Sequence, residues 1–303
     1  MVDHHYWTSK YEFNNYTIIG FSWAARKTGF YIPEMRLMLD CGVPNDYSPE
    51  HILITHGHGD HCYCLPQTII DTGNVKPNIY IHSKDKDAIY QYIHSAYFLS
   101  TRNPKPKIHN KYNLISCEDN TTQMIKINEK LWKLDIIKCF HTVPCIGYGL
   151  TEIRKRLKPE IMEILDDYMK SHDIDQMTDK KIQQLKTQKI IELKKQKKEI
   201  NEEINEEFEY PLFCYLGDTN EYILKNPILD KFKLIMIECT FLDDDHIKEA
   251  KDNRHMHWSY LKPYIIIHPD TTFILYHFSF RYDKSYIKSF FEKEKISNIH
   301  YWL

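Results

Sequence analysis

Glycine is scarce, with only 9 in 303 residues. Places where the backbone can take a positive φ cheaply are therefore few, and where glycines cluster, as at Gly57 and Gly59, matters. Long apolar runs are missing too. None approaches the ~20 residues that span a bilayer, so no membrane partner is expected. The 8 cysteines are scattered, and the nearest two, Cys62 and Cys64, are one residue apart. That excludes a paired Cys-x-x-Cys zinc site and a disulfide scaffold, and it reads as reduced, buried thiols. Charge of one sign is not in excess: 40 Lys and Arg against 42 Asp and Glu give a net charge of −2. A globally basic nucleic-acid binder is excluded, and any RNA or DNA must be met by a local patch. The opening residues MVDHHY hold no basic segment leading into an apolar one. The expectation is a chain without a secretory signal, cytoplasmic by default, with the nucleus as the alternative.

What is present is a chain able to bury a core, 42% hydrophobic and 27% charged, with 17 histidines. The first half reads as short strands over 16–22, 28–32, 36–40, 51–55 and 78–82, and again over 112–116, 123–127 and 132–139. A helix is expected over 84–99. Strands are expected again at 211–216, 233–238 and 272–277, with helices at 257–267 and 283–292 around them. This alternation predicts mixed sheets sandwiched between helices. Between Gly149 and Gly217 the character changes. Residues 159–171 and 177–205 read as polar helices with a thin apolar stripe of Ile182, Leu185, Leu193, Ile200 and Ile204. Lys180, Lys181, Lys186, Lys189, Lys194, Lys195, Lys197 and Lys198 are accompanied by a single acid, Glu192. The segment 151–209 is thus expected to be an insertion within one domain spanning 1–303.

The densest chemistry is His56-Gly57-His58-Gly59-Asp60-His61, directly after the strand ending at Thr55. His56 and His58 alternate along an extended loop and can point the same way. Asp60 and His61 follow one turn later. Imidazole with carboxylate suits zinc or another first-row divalent ion. One such cluster cannot complete two coordination spheres. Further ligands are expected at other strand ends beside sharp turns, where His141, Asp218 and His277 stand.

This ordered set, His-x-His-x-Asp-His, a single His, Gly-Asp-Thr and a last His, resembles the metal signature of the metallo-β-lactamase fold. The surrounding text narrows the resemblance. HGHGDHCYCLP, FHTVPCIGYGL, LGDT and HFSFRY are similar to the motifs of ribonuclease Z, the tRNA 3′-processing endonuclease. GFSWAARKTGFYI, IECTFLDDD and AKDNRHMHW resemble its short, plant-type branch. The resemblance covers about 15–303 outside the interior of the insertion. It implies a four-layer αββα sandwich with an inserted helical arm. It implies two zinc ions per chain, with manganese or iron as alternatives. His56, His58 and His141 would hold one, Asp60, His61 and His277 the other, and Asp218 would bridge them. Glu238 and His255 would match the pair thought to assist protonation of the leaving group, with His257 as a competitor for that role.

The chemistry implied is attack of a metal-bridged hydroxide, with Asp60 as local base, on a phosphodiester of precursor tRNA, leaving a 3′-hydroxyl on the tRNA. The lysine-rich arm falls where the family carries its substrate-binding arm, and the eight lysines would supply phosphate contacts. Ser279 and Arg281, just after His277, are further candidates for phosphate binding. A homodimer is a candidate assembly. The alternative is a hydrolase of the same fold acting on a small lactam, thioester or phosphodiester.

Overall fold

The computed structural model describes residues 7–71, 73, 75–103, 107–172, 177–199 and 203–303. Residues up to Thr151, together with Pro211–Leu303, form one compact unit, and Glu152–Tyr210 form a second. Two seven-stranded sheets organise the chain, each in sequence order. The first runs β1 (Ser9–Phe13), β2 (Tyr16–Trp23), β3 (Lys27–Ile32), β4 (Leu37–Leu39), β5 (His51–Leu53), β6 (Asn78–His82) and β7 (Asn113–Cys117). Its pairings are antiparallel up to β4 and parallel from β4 to β7. The second holds β8 (Thr122–Ile127), β9 (Lys130–Cys139), β10 (Cys145–Leu157), β11 (Asn205–Tyr215), β12 (Leu234–Glu238), β13 (Thr272–Tyr276) and β14 (Ile299–Tyr301). From β11 to β14 its pairings are parallel. The helices are α1 (Gly59–Cys62), α2 (Leu65–Asp71), α3 (Lys86–Thr101), α4 (Pro159–Lys170), α5 (Asp179–Glu199), α6 (Ile247–Asn253), α7 (Trp258–Ile267) and α8 (Lys284–Glu294).

Strands covered on both faces read as unbroken apolar runs, and here the period of two decides which layer each residue joins. Ile52, Ile79 and Ile81 point outward onto Leu65 and Ile69 of α2 and Ile89 and Ile93 of α3. Ile235, Ile237, Phe273 and Leu275 point outward onto Trp258, Leu261 and Ile265 of α7 and Ile287 and Phe291 of α8. Between the sheets Phe30 of β3 meets Tyr215, Tyr276 and Trp302 edge-on, with centroids 5.8, 5.3 and 5.1 Å away. Helix, sheet, sheet and helix therefore stack as four layers with apolar packing at each junction, the sandwich expected from the sequence.

The second unit departs from the sequence reading. The helix expected over 177–205 is α5, Asp179–Glu199, and residues 200–202 lie outside those described. The acidic stretch that follows is β11, which begins at Asn205 rather than near 211. Helix propensity is overruled there by pairs with the basic end of β10. Arg156 meets Glu206 at 2.7 Å, Lys155 meets Glu207 at 3.9 Å, and Arg154 lies 3.5 Å from the Tyr210 ring centroid. Such cross-strand charge and cation–π pairs favour a sheet over isolated helical Glu residues. The unit has a small core of its own, Ile161, Leu193 and Ile204.

Candidate metal centre

Ligands in open α/β sheets gather outside the carboxyl ends of parallel strands. Here Asp40 follows β4, His56 lies three residues beyond β5, Asp218 three beyond β11, Glu238 ends β12 and His277 follows β13. His141 lies two residues beyond β9. The parallel register sets Glu238 opposite Tyr276, which places His277 beside it. His58 precedes α1, whose first turn brings in Asp60 and His61.

Ligand atoms gather in groups, each within 4.8 Å: His56, His58, His141 and Asp218 in one, Asp60, His61 and His277 in another, while Asp218 and His277 also meet His255 in an overlapping third. Asp218 lies between the first two. Its Oδ1 is 3.4 Å from His61 Nε2, and its Oδ2 is 3.5 Å from His277 Nε2, 3.8 Å from His56 and 3.9 Å from His141. All seven residues singled out as ligands are thus in one place.

The hydrogen bonds around the cluster fix which nitrogen each ring offers. A carboxylate or carbonyl only accepts, so the ring nitrogen facing it carries the proton. His61 Nδ1 donates to Asp40 Oδ2 at 2.7 Å, and His141 Nδ1 to the Arg254 carbonyl at 3.2 Å. His56 Nδ1 faces Thr55 Oγ1 at 3.0 Å, whose own hydrogen goes to Asp40. His277 Nδ1 faces Thr240 Oγ1 at 3.1 Å, whose hydrogen goes to Glu238. In all four rings Nε2 is left for a metal. The Nε2 atoms of His61 and His277 are 3.4 Å apart, and His141 Nε2 is 3.2 Å from His58 Nδ1. A tetrahedral ion with bonds of about 2.0–2.1 Å to nitrogen spaces its ligand atoms about 3.3–3.4 Å apart.

Two further observations fit a cation. Among the described residues, His56 Nε2 and Asp218 Oδ1 are buried polar atoms without a hydrogen-bond partner. Electrostatically, burial alone would push the pKa of His61 down, yet Asp218, Asp40 and Asp60 outweigh it and hold it well above the ordinary value. The carboxylates thus draw a positive charge into the cluster, a proton where no metal stands. Burial keeps the pKa of His56 well below the ordinary value, as a neutral ligand requires.

Glu238 and His255 form a pair at the edge of this cluster. Glu238 is fully buried, accepts the Thr219 and Thr240 backbone N–H groups at 2.8 and 3.3 Å, and lies 2.8 Å from His255 Nδ1. The His255 ring sits 4.8 Å from that of His141 and 5.5 Å from that of His277. Burial lowers its pKa, but the Glu238 carboxylate prevails and raises it to about 9. His257 has a different task. It caps α7, its Nδ1 accepting the Ser259 N–H at 3.0 Å while Nε2 donates to the Asp243 carbonyl at 2.9 Å.

Arg281 is held by Glu249, at 3.0 and 2.6 Å, and donates to Ser279 Oγ at 2.9 Å. It would have to leave that ion pair to meet a phosphate. Of the arm lysines, Lys180, Lys181, Lys194, Lys195 and Lys198 are exposed, whereas Lys189 pairs with Glu192 at 3.0 Å. Lys186 and Lys197 are half-buried.

The sequence reading misses Asp40, Thr55 and Thr240. Asp40 reads as the last residue of a strand, although an acid at a strand end before Cys41-Gly42 is the same signal that singled out Asp218. Its φ of +54° and that of His277, +63°, are left-handed values costly for residues with a side chain, and both lie at this cluster. Groups that orient metal ligands typically cost 10- to 100-fold in metal affinity when removed. Asp40→Asn is therefore expected to weaken metal binding by about that factor in a chelator competition.

Fold and site together define a metallo-β-lactamase-fold protein with a two-centre cluster of histidines and aspartates. No protein-family model matches the chain. It is 25% identical over 283 residues to the chloroplastic tRNase Z TRZ2 of Arabidopsis thaliana, covering 89% of this chain and 70% of that one. It is 27% identical over 236 residues to the ribonuclease Z of Borrelia duttonii, covering 73% and 69%. The solved structure of human tRNase Z, short form, superposes with a TM-score of 0.50 at 14% identity, covering 86% of this chain and 91% of that one. Within the fold, then, ribonuclease Z is what the chain resembles over most of its length, as its motifs do.

Proposed function

We propose that this chain is a metal-dependent endoribonuclease that removes the 3′ trailer from precursor tRNA, acting with two zinc ions. The observation that carries the reading is the Glu238–His255 pair set against the two-centre cluster. His56, His58 and His141 would hold one ion and Asp60, His61 and His277 the other, with Asp218 shared. Such ions supply a nucleophile at neutral pH and neutralise charge on the phosphate oxygens. Everything else falls to the side chains. Asp60, at 3.4 Å from His277 Nε2 and 3.6 Å from His61 Nε2, would accept a proton within the cluster. His255, kept as imidazolium by Glu238, would protonate the departing ribose 3′-oxygen. The products would be RNA ending in a 3′-hydroxyl and a trailer with a 5′-phosphate.

Beside the cluster, a cavity of about 500 Å³ lined by Lys84, Asp119, Lys138, His141, Tyr222 and Arg254 would offer Lys84 and Arg254 to a phosphate backbone, Lys138 being paired with Asp119 at 3.3 Å. The lysines of α5 would add remote phosphate contacts, which bind substrate without doing chemistry. No described helix is long and apolar enough to cross a membrane. A cytoplasmic homodimer is the assembly we propose, and sedimentation of the purified chain checks it.

The test replaces 159–203 with a short flexible linker between the ends of β10 and β11. All seven proposed ligands lie outside the cut. Hydrolysis of bis-p-nitrophenyl phosphate is expected to persist, while KM for precursor tRNA rises about tenfold or more, as released counterions no longer favour binding. Equal loss of both activities would make the arm structural. Unchanged RNA cleavage would make the lysines a solvated face, and an intact chain that hydrolyses the small ester but not precursor tRNA would favour the small-substrate hydrolase.

A further inference from the structure

A second cavity opens against His58, on the far side of Val143 and Pro144 from the basic one, and the chemistry described so far gives it no role. It measures about 340 Å³ and is lined by Gly57, His58, Tyr63, Asp85, Tyr92 and Pro144 among others. That size lies in the range of small-ligand sites, about 300–1,000 Å³. Its walls are pre-set. The Tyr63 ring lies flat against Gly59, so close that a Cβ there would stand 1.7 Å from the ring Cζ. Tyr92 of α3 donates its hydroxyl to the Tyr63 carbonyl at 2.7 Å. Buried Ile89 adds an apolar surface. Gly57 lies beside Asp85, where a Cβ would make only ordinary contact, 3.9 Å from the carboxyl carbon.

Asp85 is the one acid in this lining, and its Oδ2 is buried with no hydrogen-bond partner. No lysine or arginine lines the cavity, in contrast to its neighbour with Lys84, Lys138 and Arg254. A phosphate is therefore poorly served here. A flat aromatic ring with hydrogen-bond donors on its edge is well served, because tyrosine and aliphatic walls take its faces and a carboxylate takes its donors.

We infer that this cavity seats the nucleobase adjoining the scissile phosphate, and that Asp85 selects guanine there. A carboxylate only accepts. Guanine offers two adjacent donors, N1–H and the N2 amine, which one carboxylate can take together. Adenine and cytosine set a lone pair beside a single amine, and uracil flanks its N–H with carbonyls. The inference rests on the ribonuclease reading for the source of the base. Phosphates would then run along the basic cavity while one base turns over the Val143–Pro144 ridge into the apolar one.

The test uses the intact, metal-loaded protein and precursor tRNAs that differ only in the nucleotide on either side of the cut. Wild type is expected to prefer guanine on one side by about 10- to 100-fold in kcat/KM, the worth of one bidentate base contact. In Asp85→Asn and in Asp85→Ala, which loses every polar atom there, the four bases are expected to converge to within about threefold. Tyr63→Ala, at an exposed side chain, is expected to raise KM for all four bases by about 10- to 100-fold, the loss of one base–aromatic stack, with guanine still favoured. Equilibrium binding of GMP, AMP, CMP and UMP to wild type and Asp85→Asn repeats the comparison without catalysis. Cleavage with no base preference, or a preference that survives both Asp85 variants, overturns the inference and leaves the ribonuclease reading in place. Asp85-dependent GMP binding by a protein that cleaves no RNA upholds the pocket and overturns the ribonuclease reading instead.

Discussion

Asp218→Ala is expected to leave a folded protein that holds fewer than about one metal ion per chain, where two filled centres need the shared ligand. Hydrolysis of both precursor tRNA and a small phosphodiester should fall to background. Asp218 is the only residue of the cluster whose two oxygens face both groups, with Oδ1 toward His61 and Oδ2 toward His56, His141 and His277. Burial would raise its pKa, but His277 and His61 overcome that and hold it well below the usual carboxylate range, so it stands ready as an anion. The thermal signature is sharper than the activity loss. Stripped of metal, wild type still holds Asp218 as an anion against His61 and His277, so its removal leaves buried imidazoles without their counter-charge and the metal-free variant should melt below metal-free wild type. Adding metal at about 1,000 times its Kd should stabilise wild type by about 4 kcal/mol and leave the variant where it was. Elemental analysis and paired melting curves measure both halves. A variant that keeps two metals and full activity would remove Asp218 from the centre.

The second large effect concerns the proton. His255→Ala is expected to lower turnover on precursor tRNA by roughly 10²- to 10⁴-fold with metal content unchanged, the usual weight of a positioned general acid. Loss of metal instead would make His255 a ligand, a role its 3.9 Å separation from Asp218 allows. The alkaline side carries the sign. An imidazolium with a pKa raised to about 9 donates its proton below that pH and loses it above, so kcat for wild type should decline as pH rises through about 9. In His255→Ala that limb should be missing. His257→Ala is the control. It removes a helix cap worth about 0.5–2 kcal/mol and should lower the melting temperature while sparing turnover.

The seven candidate ligands were legible because four of them crowd into the six residues His56–His61 after β5, and His141, Asp218 and His277 each follow a strand beside a glycine or a sharp turn. Glu238 and His255 were legible only through resemblance; no local pattern says that a glutamate ending one strand will meet a histidine seventeen residues later. Asp40 escaped because its role exists only when β4 lies parallel to β5 and the His61 ring turns back onto it. The long strand β10 escaped for another reason. Its first half is buried without alternation and its second half is basic, so neither the period of two nor an apolar run spans it. The acidic partner strand read as helix because its compensating arginines lie some fifty residues away. Asp85 was invisible, an acid in a turn among lysines, until the fold set it over Gly57.

The ligand set reaches from His56 to His277, and within its second group the Nε2 atoms of His61 and His277 lie 3.4 Å apart although 216 residues separate them. A ribosome therefore exposes the richest part of the site, His56 to His61, long before its partners exist. Until β13 is made and docks, those histidines and Asp60 can hold an ion only as an incomplete, exchangeable shell. Metal selection is thus deferred to the end of synthesis and decided by the finished sandwich. A chain expressed in a medium poor in the right ion should consequently fold first and load afterwards, and late addition of metal should restore activity without refolding.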